Sequence, residues 1–457
     1  MDVEVARNLI KKYCIGHQDF ISRAEVAERY YRNKTDILFK AKKNDEEPIR
    51  NADNRITSSF YSLLVNQKAS YAFSDPPIFD IGSESLNRVV ADVLGDSFAK
   101  KCKDLCVNAS NAGVAWVHYW VQDNEFKWAV VDSKQIIPVY NNDLEKKLFA
   151  VLRVYGEIDD ETGEAFDIYE IWTDRECSVF KNKVNDTYDS LFAYNRFSIY
   201  VPNSGTNTIS HTMQAVPFIP FANNNIGSSD LDNVKGQIDS YDKVYSGFIN
   251  DLEDIQEVIL LLTGYEGENL GEFLSNIKKY KTVKLEGDTD SKSDLRTLTI
   301  DIPVEARKEL LTLARKAIFE QGQGIDPNPE NFGNSSGVAL KYLYSLLDLK
   351  VSLLETEFRY GFATLIRAIC RFKGVSCTII NQTWTRRSVS NDVELADIAQ
   401  KSVGIISQKT VLKNHPWVEN LELEQKQLQD EQQEQKQKKD ISFGVDENEV
   451  NADDEEE

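Results

Sequence analysis

A seam of apolar residues that recurs every three or four positions runs from residue 231 to residue 262. Its members are Leu231, Val234, Ile238, Tyr241, Tyr245, Phe248, Leu252, Ile255, Ile259 and Leu262. This heptad-type spacing predicts one helix that is about 50 Å long. Because only one narrow face of that helix is apolar, it must pack along another long helix, either in its own chain or in a second copy.

Two further helices are predicted after this seam. Pro303 is suited to the first turn of a helix that runs to residue 321, and a second long helix extends from Val338 to about Phe372. A 16-residue stretch rich in Gly, Pro, Asn and Ser separates them, at residues 322–337. Those residue types break helices and favour turns, so the sequence predicts a loop between two long helices.

The first half of the chain has a different pattern. Helical, charged segments up to about residue 108 precede short runs of β-branched and aromatic residues, which polar turns separate. These predicted strands are residues 114–121, 126–132, 135–140, 148–155, 166–172 and 197–202. We therefore predict an antiparallel sheet domain here, and in total an α+β fold. A small α+β insert is expected at 264–303, a returning strand after Gly374, and helices from Val393 to about residue 439.

The charge of the chain argues against some classes of function. The chain of 457 residues carries a formal net charge of −21, and residues 419–457 alone hold 15 acidic against 4 basic residues. High-affinity nucleic-acid binding requires clustered Lys and Arg, and the sequence contains no long basic run. No segment approaches the apolar length of a membrane span, and the N-terminus does not resemble a secretory leader. The acidic end is expected to be disordered.

One motif suggests catalysis. Gly333, Ser335 and Gly337 form a G-x-S-x-G pattern before a helix, as at the nucleophile of serine hydrolases. That chemistry also requires a preceding strand and a later histidine, but Asp326 and Pro327 disfavour a strand and only His415 lies downstream. The favoured interpretation is a helix cap and a tight turn, and a hydrolase that uses Ser335 is an alternative.

No cofactor or metal site is expected. The sequence contains no P-loop motif, and no second Cys or His pair completes a zinc site with Cys102 and Cys106. The six cysteines are scattered and are expected to be reduced thiols. We therefore expect a protein that is not an enzyme.

An ordered set of segments resembles one known family, the SPP1-like portal proteins of tailed bacteriophages. The matching segments are NRITSSFYSLLVNQKASYAFSDPPI (54–78), NAGVAWVHYW (111–120), DSKQIIPVY (132–140), VPFIPFANN (216–224), SDLDNVKGQIDSYDKVYSGFINDLED (229–254), SSGVALKYLYSLLDLK (335–350) and ISQKTVLKNHPWVENLELEQKQLQDE (406–431). The resemblance covers about residues 54–431 and implies the portal fold, a ring oligomer.

The resemblance also implies a division of the chain. The parts are a wing at 1–225, a stem helix at 226–263, a clip at 264–303, a second stem helix at 304–321, a tunnel loop at 322–337, a long helix with a returning wing strand at 338–391, a helical crown at 392–440 and an acidic tail at 441–457.

The resemblance implies that the protein forms a homododecameric ring at one capsid vertex of the virion. It also implies that this ring assembles in the host cytoplasm. It carries the genome during packaging and ejection as a head-tail connector. The implied partners are double-stranded DNA without sequence preference, the large terminase subunit, head-completion or adaptor proteins, and the major capsid and scaffolding proteins, with no membrane. An alternative is a helical adaptor or scaffold of a virion that never contacts DNA.

Three groups of candidate site residues follow from this resemblance. The tunnel-loop residues expected to contact DNA are Asn328, Asn331, Asn334, Ser335 and Ser336. The basic cluster of the clip, expected to meet the motor, an adaptor or DNA, is Lys278, Lys279, Lys281 and Lys284; a solvated surface is the alternative for it. The stem residues expected to form the assembly seam between subunits are Ile238, Tyr245, Leu252 and Ile259.

Overall fold

The computed structural model describes residues 1–41, 52–195, 206–255, 259–263, 294–298, 303–327, 337–386, 392–413, 415, 418, 421, 424–431 and 433. They fall into two compact units, one within Met1–Asp326 and Leu346–Arg387, the other within Pro327–Ser345 and Ser388–Glu457. The architecture mixes helices and antiparallel strands, which confirms the predicted α+β class.

The helices of the described residues are α1 (Val3–Cys14), α2 (Gln18–Tyr31), α3 (Phe60–Ala72), α4 (Glu84–Leu94), α5 (Phe98–Ala112), α6 (Lys235–Ile255), α7 (Val304–Gln321), α8 (Gly337–Phe372), α9 (Asp392–Ser402) and α10 (Gln408–Lys413). The strands are β1 (Ile78–Asp80), β2 (Val114–Gln122), β3 (Glu125–Val131), β4 (Ile136–Tyr140), β5 (Leu148–Ile158), β6 (Ala165–Trp172), β7 (Glu176–Lys183), β8 (Phe192–Ala193), β9 (Thr208–Ser210), β10 (Phe218–Ala222), β11 (Ile259–Thr263), β12 (Asp294–Leu298) and β13 (Asn381–Thr383).

The predicted sheet domain is present as two antiparallel sheets. One orders its strands β10-β2-β3, and the other orders them β4-β5-β6-β7-β8, with β9 also paired to β7. The strand β7 was not predicted, because Glu176, Lys181 and Lys183 interrupt its apolar pattern. The strand predicted at 197–202 lies outside the described residues.

The larger sheet buries its apolar residues against α1. Ala6 and Ile10 of that helix pack on Leu152, Ile171 and Phe180 of the sheet. The alternation of these strand residues places every second side chain on the covered face. The N-terminal helix is therefore part of the core of the sheet domain.

A second core joins the helices. Tyr61 and Leu64 of α3 contact Ile238 of α6 and Ile318 and Phe319 of α7, and all five are buried. The helix α6 also runs beside α7, as the narrow apolar face of α6 requires. This core holds the helix that precedes the predicted tunnel loop.

The helix that the seam predicts is shorter than expected. A capping box at Ser229 begins a short 3₁₀ turn at Asp230–Asn233, and α6 itself covers Lys235–Ile255. The prediction of helix to residue 263 was wrong, because Ile259–Thr263 is the strand β11 paired with β12. The run from Ile259 to Leu262 is apolar on every side, so its residues fit a strand as well as a helix and the spacing alone could not separate the two.

The helices predicted on either side of the loop are confirmed. The helix α7 begins directly after Pro303, and α8 begins at Gly337 and extends over 36 residues. Phe358 and Phe362 of α8 stack edge-on against Phe221 of β10, with ring centroids 5.1 and 4.9 Å apart. The long helix is thereby fixed to the smaller sheet. The returning strand is confirmed only at Asn381–Thr383, where it pairs with β1.

Candidate functional site

All of the predicted DNA and motor contacts lie outside the described residues. This applies to Asn328, Asn331, Asn334, Ser335 and Ser336 of the loop, and to Lys278, Lys279, Lys281 and Lys284 of the insert. The described residues do include the start of the loop at 322–327 and the helix that follows the loop. The candidate site is therefore the place where the protein holds the predicted tunnel loop.

The predicted assembly seam is not one continuous surface. Ile238 is fully buried in the helical core of its own subunit, whereas Leu252 is exposed. Tyr245 is partly buried and stacks on Tyr241, with ring centroids 6.1 Å apart. Ile259 lies in β11 instead of the helix. The structure thus separates the four residues that heptad spacing had grouped together.

The first residues of the loop, 322–326, are held against α3, and we call them the loop anchor. Gln67 of α3 makes two hydrogen bonds to the backbone of Ile325. Its Nε2 donates to the Ile325 carbonyl at 2.7 Å, and its Oε1 accepts from the Ile325 amide at 3.0 Å. An amide side chain that pairs with both backbone groups of one residue substitutes for a strand partner. The side chain of Ile325 is buried at the same place.

Two glycines allow this close approach. A Cβ atom at Gly324 would lie 2.2 Å from Cδ2 of Leu64 and 2.9 Å from Oε1 of Gln67. A Cβ atom at Gly322 would lie 2.5 Å from Cδ1 of Leu64 and 2.7 Å from the carbonyl oxygen of Ile318. A larger residue at Gly324 must displace the side chains of Leu64 and Gln67, and one at Gly322 must also move the backbone away from the Ile318 carbonyl. The glycines of this segment therefore serve packing on α3.

An ion pair closes the far end of the anchor. Arg315 of α7 donates through Nη2 to Oδ1 of Asp326 at 2.6 Å, and its Nε lies 3.1 Å from Oδ2. Both side chains are partly buried, and the fork geometry fixes direction as well as distance. In the sequence, Asp326 serves only as a residue that disfavours a strand. In the structure, its ion pair with Arg315 connects the loop anchor to the helix that precedes the loop.

Beneath the anchor lies a buried charge cluster of Lys68, Asp230 and Lys350. Oδ2 of Asp230 lies 2.9 Å from Nζ of Lys68 and 3.2 Å from Nζ of Lys350. Oδ1 of the same carboxylate accepts a hydrogen bond from Asn223 at 2.9 Å. The single carboxylate of Asp230 therefore forms ion pairs with two buried ammonium groups. It joins α3, the segment before α6 and the long helix α8.

The cluster reaches the loop anchor through Lys350. Nζ of Lys350 donates to the carbonyl oxygen of Gly322 at 3.0 Å, in addition to its contact with Asp230. That carbonyl belongs to the first anchor residue, and Lys350 sits on the helix that follows the loop. A single side chain therefore couples the start of the predicted tunnel loop to the helix at its end.

Burial and ion pairing shift the pKa values of these groups in opposite directions. Burial alone would raise the pKa of Asp230, but attraction from Lys350 and Lys68 outweighs it and holds the pKa well below the ordinary value. Burial lowers the pKa of Lys350, and the nearby Asp230 opposes that shift. The contribution of the Asp230 carboxylate to stability is therefore complete above its unfolded pKa of 3.8. It is lost only as the pH falls through the lower folded value.

Sequence reasoning missed this cluster, although a signal for it was present. Lys68 lies between Val65 and Ala69 on a helix face that is otherwise apolar, and Lys350 falls between Leu347 and Leu354 of a helical seam. A charged residue at a core position is almost never buried without a partner. The position of the partner, Asp230, could not be read from spacing because it is 162 residues from Lys68.

The described residues contain no group of three or more His, Cys, Asp or Glu side chains arranged to hold a metal ion. Cys102 and Cys106 lie on α5, and both are buried thiols. Burial raises the pKa of Cys106 to about 11, so this thiol stays protonated near neutral pH. Among the helices that the structure describes, none combines the length and the apolar character of a membrane span.

Comparison with known proteins gives a consistent result. A profile of the family described as phage portal protein, SPP1 Gp6-like, matches residues 10–438. The portal protein of Clostridium phage phiCD119 is 44% identical over 454 residues, which cover 94% of this chain and 97% of that protein. The portal protein of Bacillus phage SPP1 is 28% identical over 396 residues, which cover 82% of this chain and 76% of that protein. A chain from the neck of a native GTA particle, computed with C12 symmetry, has a TM-score of 0.46 and 11% identity and covers 77% of this chain and 88% of its own length.

Proposed function

The chain belongs to the SPP1 Gp6-like family of phage portal proteins, and on that premise we propose that twelve copies form a ring through which the viral genome is packaged and ejected. A portal is a component of the virion at a capsid vertex and has a structural role. The observation that carries the proposal is the family match, which extends over residues 10–438. The division into wing, stem, clip, tunnel loop and crown is part of the same proposal.

The loop anchor supports a DNA-facing role for residues 327–337. Gln67, Arg315 and Lys350 fix the start of the loop to three helices, which gives the loop a defined starting point. In this proposal Asn328, Asn331, Asn334, Ser335 and Ser336 donate weak, sequence-blind hydrogen bonds to phosphates. Such contacts guide the duplex without gripping it.

The negative charge of the chain supports the same role. With a net charge of −21, the chain as a whole repels phosphate, which keeps a passing duplex centred and mobile. Strong binding of DNA by a basic lining would oppose translocation. We therefore propose that DNA meets only the polar loop residues and a few basic groups.

The proposed partners follow from the same family role. We assign the large terminase subunit and the head-completion proteins to the clip, where Lys278, Lys279, Lys281 and Lys284 offer a basic surface to an acidic partner. The major capsid and scaffolding proteins are the proposed neighbours of the wing during assembly in the host cytoplasm.

A charge substitution in the loop tests the DNA contact. The double change Asn331→Asp/Asn334→Asp adds two phosphate-repelling charges per subunit with almost no change in side-chain volume. We expect the amount of DNA protected from nuclease to fall by about tenfold when purified motor packages DNA into procapsids with this portal. Electron microscopy of the variant verifies that its rings still form.

The matched control adds the same charges elsewhere. Asn141 and Asn142 are exposed in the turn between β4 and β5, and Asn141→Asp/Asn142→Asp should package DNA at the wild-type level. Wild-type packaging by the loop variant would remove the loop from the DNA path. A loss in both variants would assign the effect to total charge instead.

A further inference from the structure

The outer face of α8 carries a row of exposed apolar side chains. Leu346, Leu349 and Leu353 are 41%, 55% and 56% exposed, and Tyr360 is 69% exposed. We call these four residues the outer strip. The three leucines follow one another at spacings of three and four, so they share one side of the helix. That spacing is typical of a surface that another helix covers.

In the part of the chain that the structure describes, the core of the subunit leaves this strip exposed. Leu347, Val351, Leu354 and Phe358 of the same helix are buried, and they lie on the opposite side of α8. Polar contacts of α8 also point away from the strip, because Lys350 binds Asp230 and Glu355 binds Arg386 and Arg359. The outer strip is therefore a second apolar face of a helix whose first face is already filled.

The strip is also poor in charge, although the half-buried Glu357 lies one turn after Leu353 on the same side of the helix. The exposed residues of α8 between positions 346 and 360 are Leu346, Leu349, Ser352, Leu353, Thr356 and Tyr360. All six are neutral, although 28% of the chain is charged and the net charge is −21. Two copies of a chain with this net charge repel each other overall, so a surface that is poor in charge is where they can approach. This complementarity favours a second copy as the occupant.

A smaller apolar patch is exposed on α7. Leu310 and Leu313 are 49% and 54% exposed, whereas Ile318 and Phe319 of that helix point into the core. We call Leu310 and Leu313 the leucine pair. Its two residues are three positions apart, so they share one side of α7 with the exposed Ala306. The subunit thus presents two different apolar helix faces.

A ring needs two such faces. In a closed ring of more than two copies, each subunit contacts its neighbours through two different surfaces that are complementary to each other. We propose that the outer strip of α8 packs against the leucine pair of α7 in the neighbouring subunit, and that this contact forms the apolar centre of the lateral interface. The inference rests on the ring assembly of the proposed function and names the surfaces that build it.

Two complementary variants test this pairing. Leu310→Glu/Leu313→Glu disables the leucine pair, and Leu349→Glu/Leu353→Glu disables the outer strip. An unpaired carboxylate in an apolar interface is strongly unfavourable, so each variant alone should need more than about tenfold higher protein concentration to form rings. Size-exclusion chromatography with light scattering and negative-stain microscopy measure ring formation. Circular dichroism verifies the fold.

Mixing the two variants gives the decisive result. Each keeps one intact surface, so a one-to-one mixture should form a heterodimer with a single interface and should not grow further. A mixture that remains monomeric overturns the pairing, and so do single variants that form rings like the wild type. In the latter case other surfaces build the ring and a different protein occupies the strip. If the wild-type chain forms no ring, the proposed function fails as well.

Two controls complete the test. Leu144→Glu/Phe149→Glu adds the same charge at two exposed apolar residues of the β4 and β5 region, and it should form rings normally. Loss of rings in this control would overturn the assignment. If a glutamate variant fails to fold, the double variant Leu313→Cys/Leu349→Cys tests the pairing instead. Its rings should form as in the wild type, and oxidation should then link neighbouring subunits into a ladder of disulfide-bonded oligomers. No ladder beyond that of the unmodified chain overturns the proposal.

Discussion

At the scale of single residues, buried ionisable groups show where the fold depends on pairing. Asp230 keeps its charge in the interior because two lysines surround it, and removing that carboxylate would leave Lys68 and Lys350 without a counter-charge. Breaking a buried pair in this way costs about 3–5 kcal/mol. These three residues are separated widely in sequence, so the cluster forms only when α3 and α8 meet.

His118 gives a residue-scale prediction about pH. Its imidazole stacks on Phe218, with ring centroids 4.3 Å apart, and Nδ1 lies 2.8 Å from the carbonyl oxygen of Pro217, to which it donates. Burial lowers the pKa of His118 from 6.5 to about 4. Between these values the unfolded chain binds a proton that the folded imidazole does not bind. The free energy of unfolding should therefore decrease by up to about 3 kcal/mol as the pH falls from 6.5 towards 4.

The measurement is urea unfolding at several pH values for the wild type and for His118→Gln. Glutamine cannot titrate and retains an N–H donor, so the variant should lose this part of the pH dependence while other groups keep theirs. Two parallel stability profiles would show that His118 does not contribute. Above pH 6.5 the two slopes should be equal, since the imidazole is then neutral in both states.

At the scale of elements, the loop anchor is the most specific feature. Three helices contribute to it: Gln67 from α3, Arg315 from α7 and Lys350 from α8. A movement of α8 relative to α3 must break either the hydrogen bond of Lys350 to Gly322 or its pairing with Asp230. The start of the predicted tunnel loop is thereby coupled to the position of the long helix.

This coupling predicts the behaviour of Lys350→Met. Methionine retains the length of the side chain but cannot donate to the Gly322 carbonyl, while Lys68 still pairs with Asp230. We expect a stability loss of about 1–3 kcal/mol and faster hydrogen exchange of the amides at residues 323–326. Mass spectrometry of peptides that cover this segment measures the exchange.

The control is Lys316→Met, which removes a lysine from the exposed side of α7. It should change neither the stability nor the exchange of the anchor by a measurable amount. Equal exchange of residues 323–326 in the Lys350 variant and the wild type would contradict a coupling through this side chain.

The sequence predicted the long helices better than their ends or their neighbours. The apolar spacing predicted α6, α7 and α8 because each buries one face: α6 and α7 share a core, and α8 packs on Phe221 of β10. It overextended α6, since the apolar run at Ile259–Leu262 has no polar face and pairs with β12 instead. It also missed β7, whose Lys181 and Lys183 pair with Glu157 and Glu164 of other segments of the chain. Such contacts between distant residues leave no local pattern.

Apolar spacing was also insufficient to predict the candidate site. Spacing grouped Ile238 with Leu252 as an assembly seam, but the fold buries Ile238 within its own subunit and leaves Leu252 exposed. A charged residue at position 238 would therefore test folding more than assembly. Only the three-dimensional arrangement separates the apolar residues that fill a core from those that face outward, such as Leu349 and Leu353.

At the scale of the whole molecule, the acidic charge and the apolar surfaces have different roles. The net charge of −21 suits a channel wall that does not hold DNA, and the neutral outer strip suits contact between copies. In the proposed ring, acidic subunits can form a stable assembly only if the lateral contacts outweigh their mutual repulsion. Ring stability should therefore depend on the apolar contacts between subunits.

The central claim is that the chain forms a closed ring with a channel for DNA. Negative-stain or cryo-electron microscopy of the purified full-length protein tests it most directly, through class averages viewed along the ring axis. We expect closed rings with twelve-fold symmetry and a central hole wide enough for duplex DNA. Monomers, open filaments, or closed particles whose hole is too narrow for a duplex would contradict it.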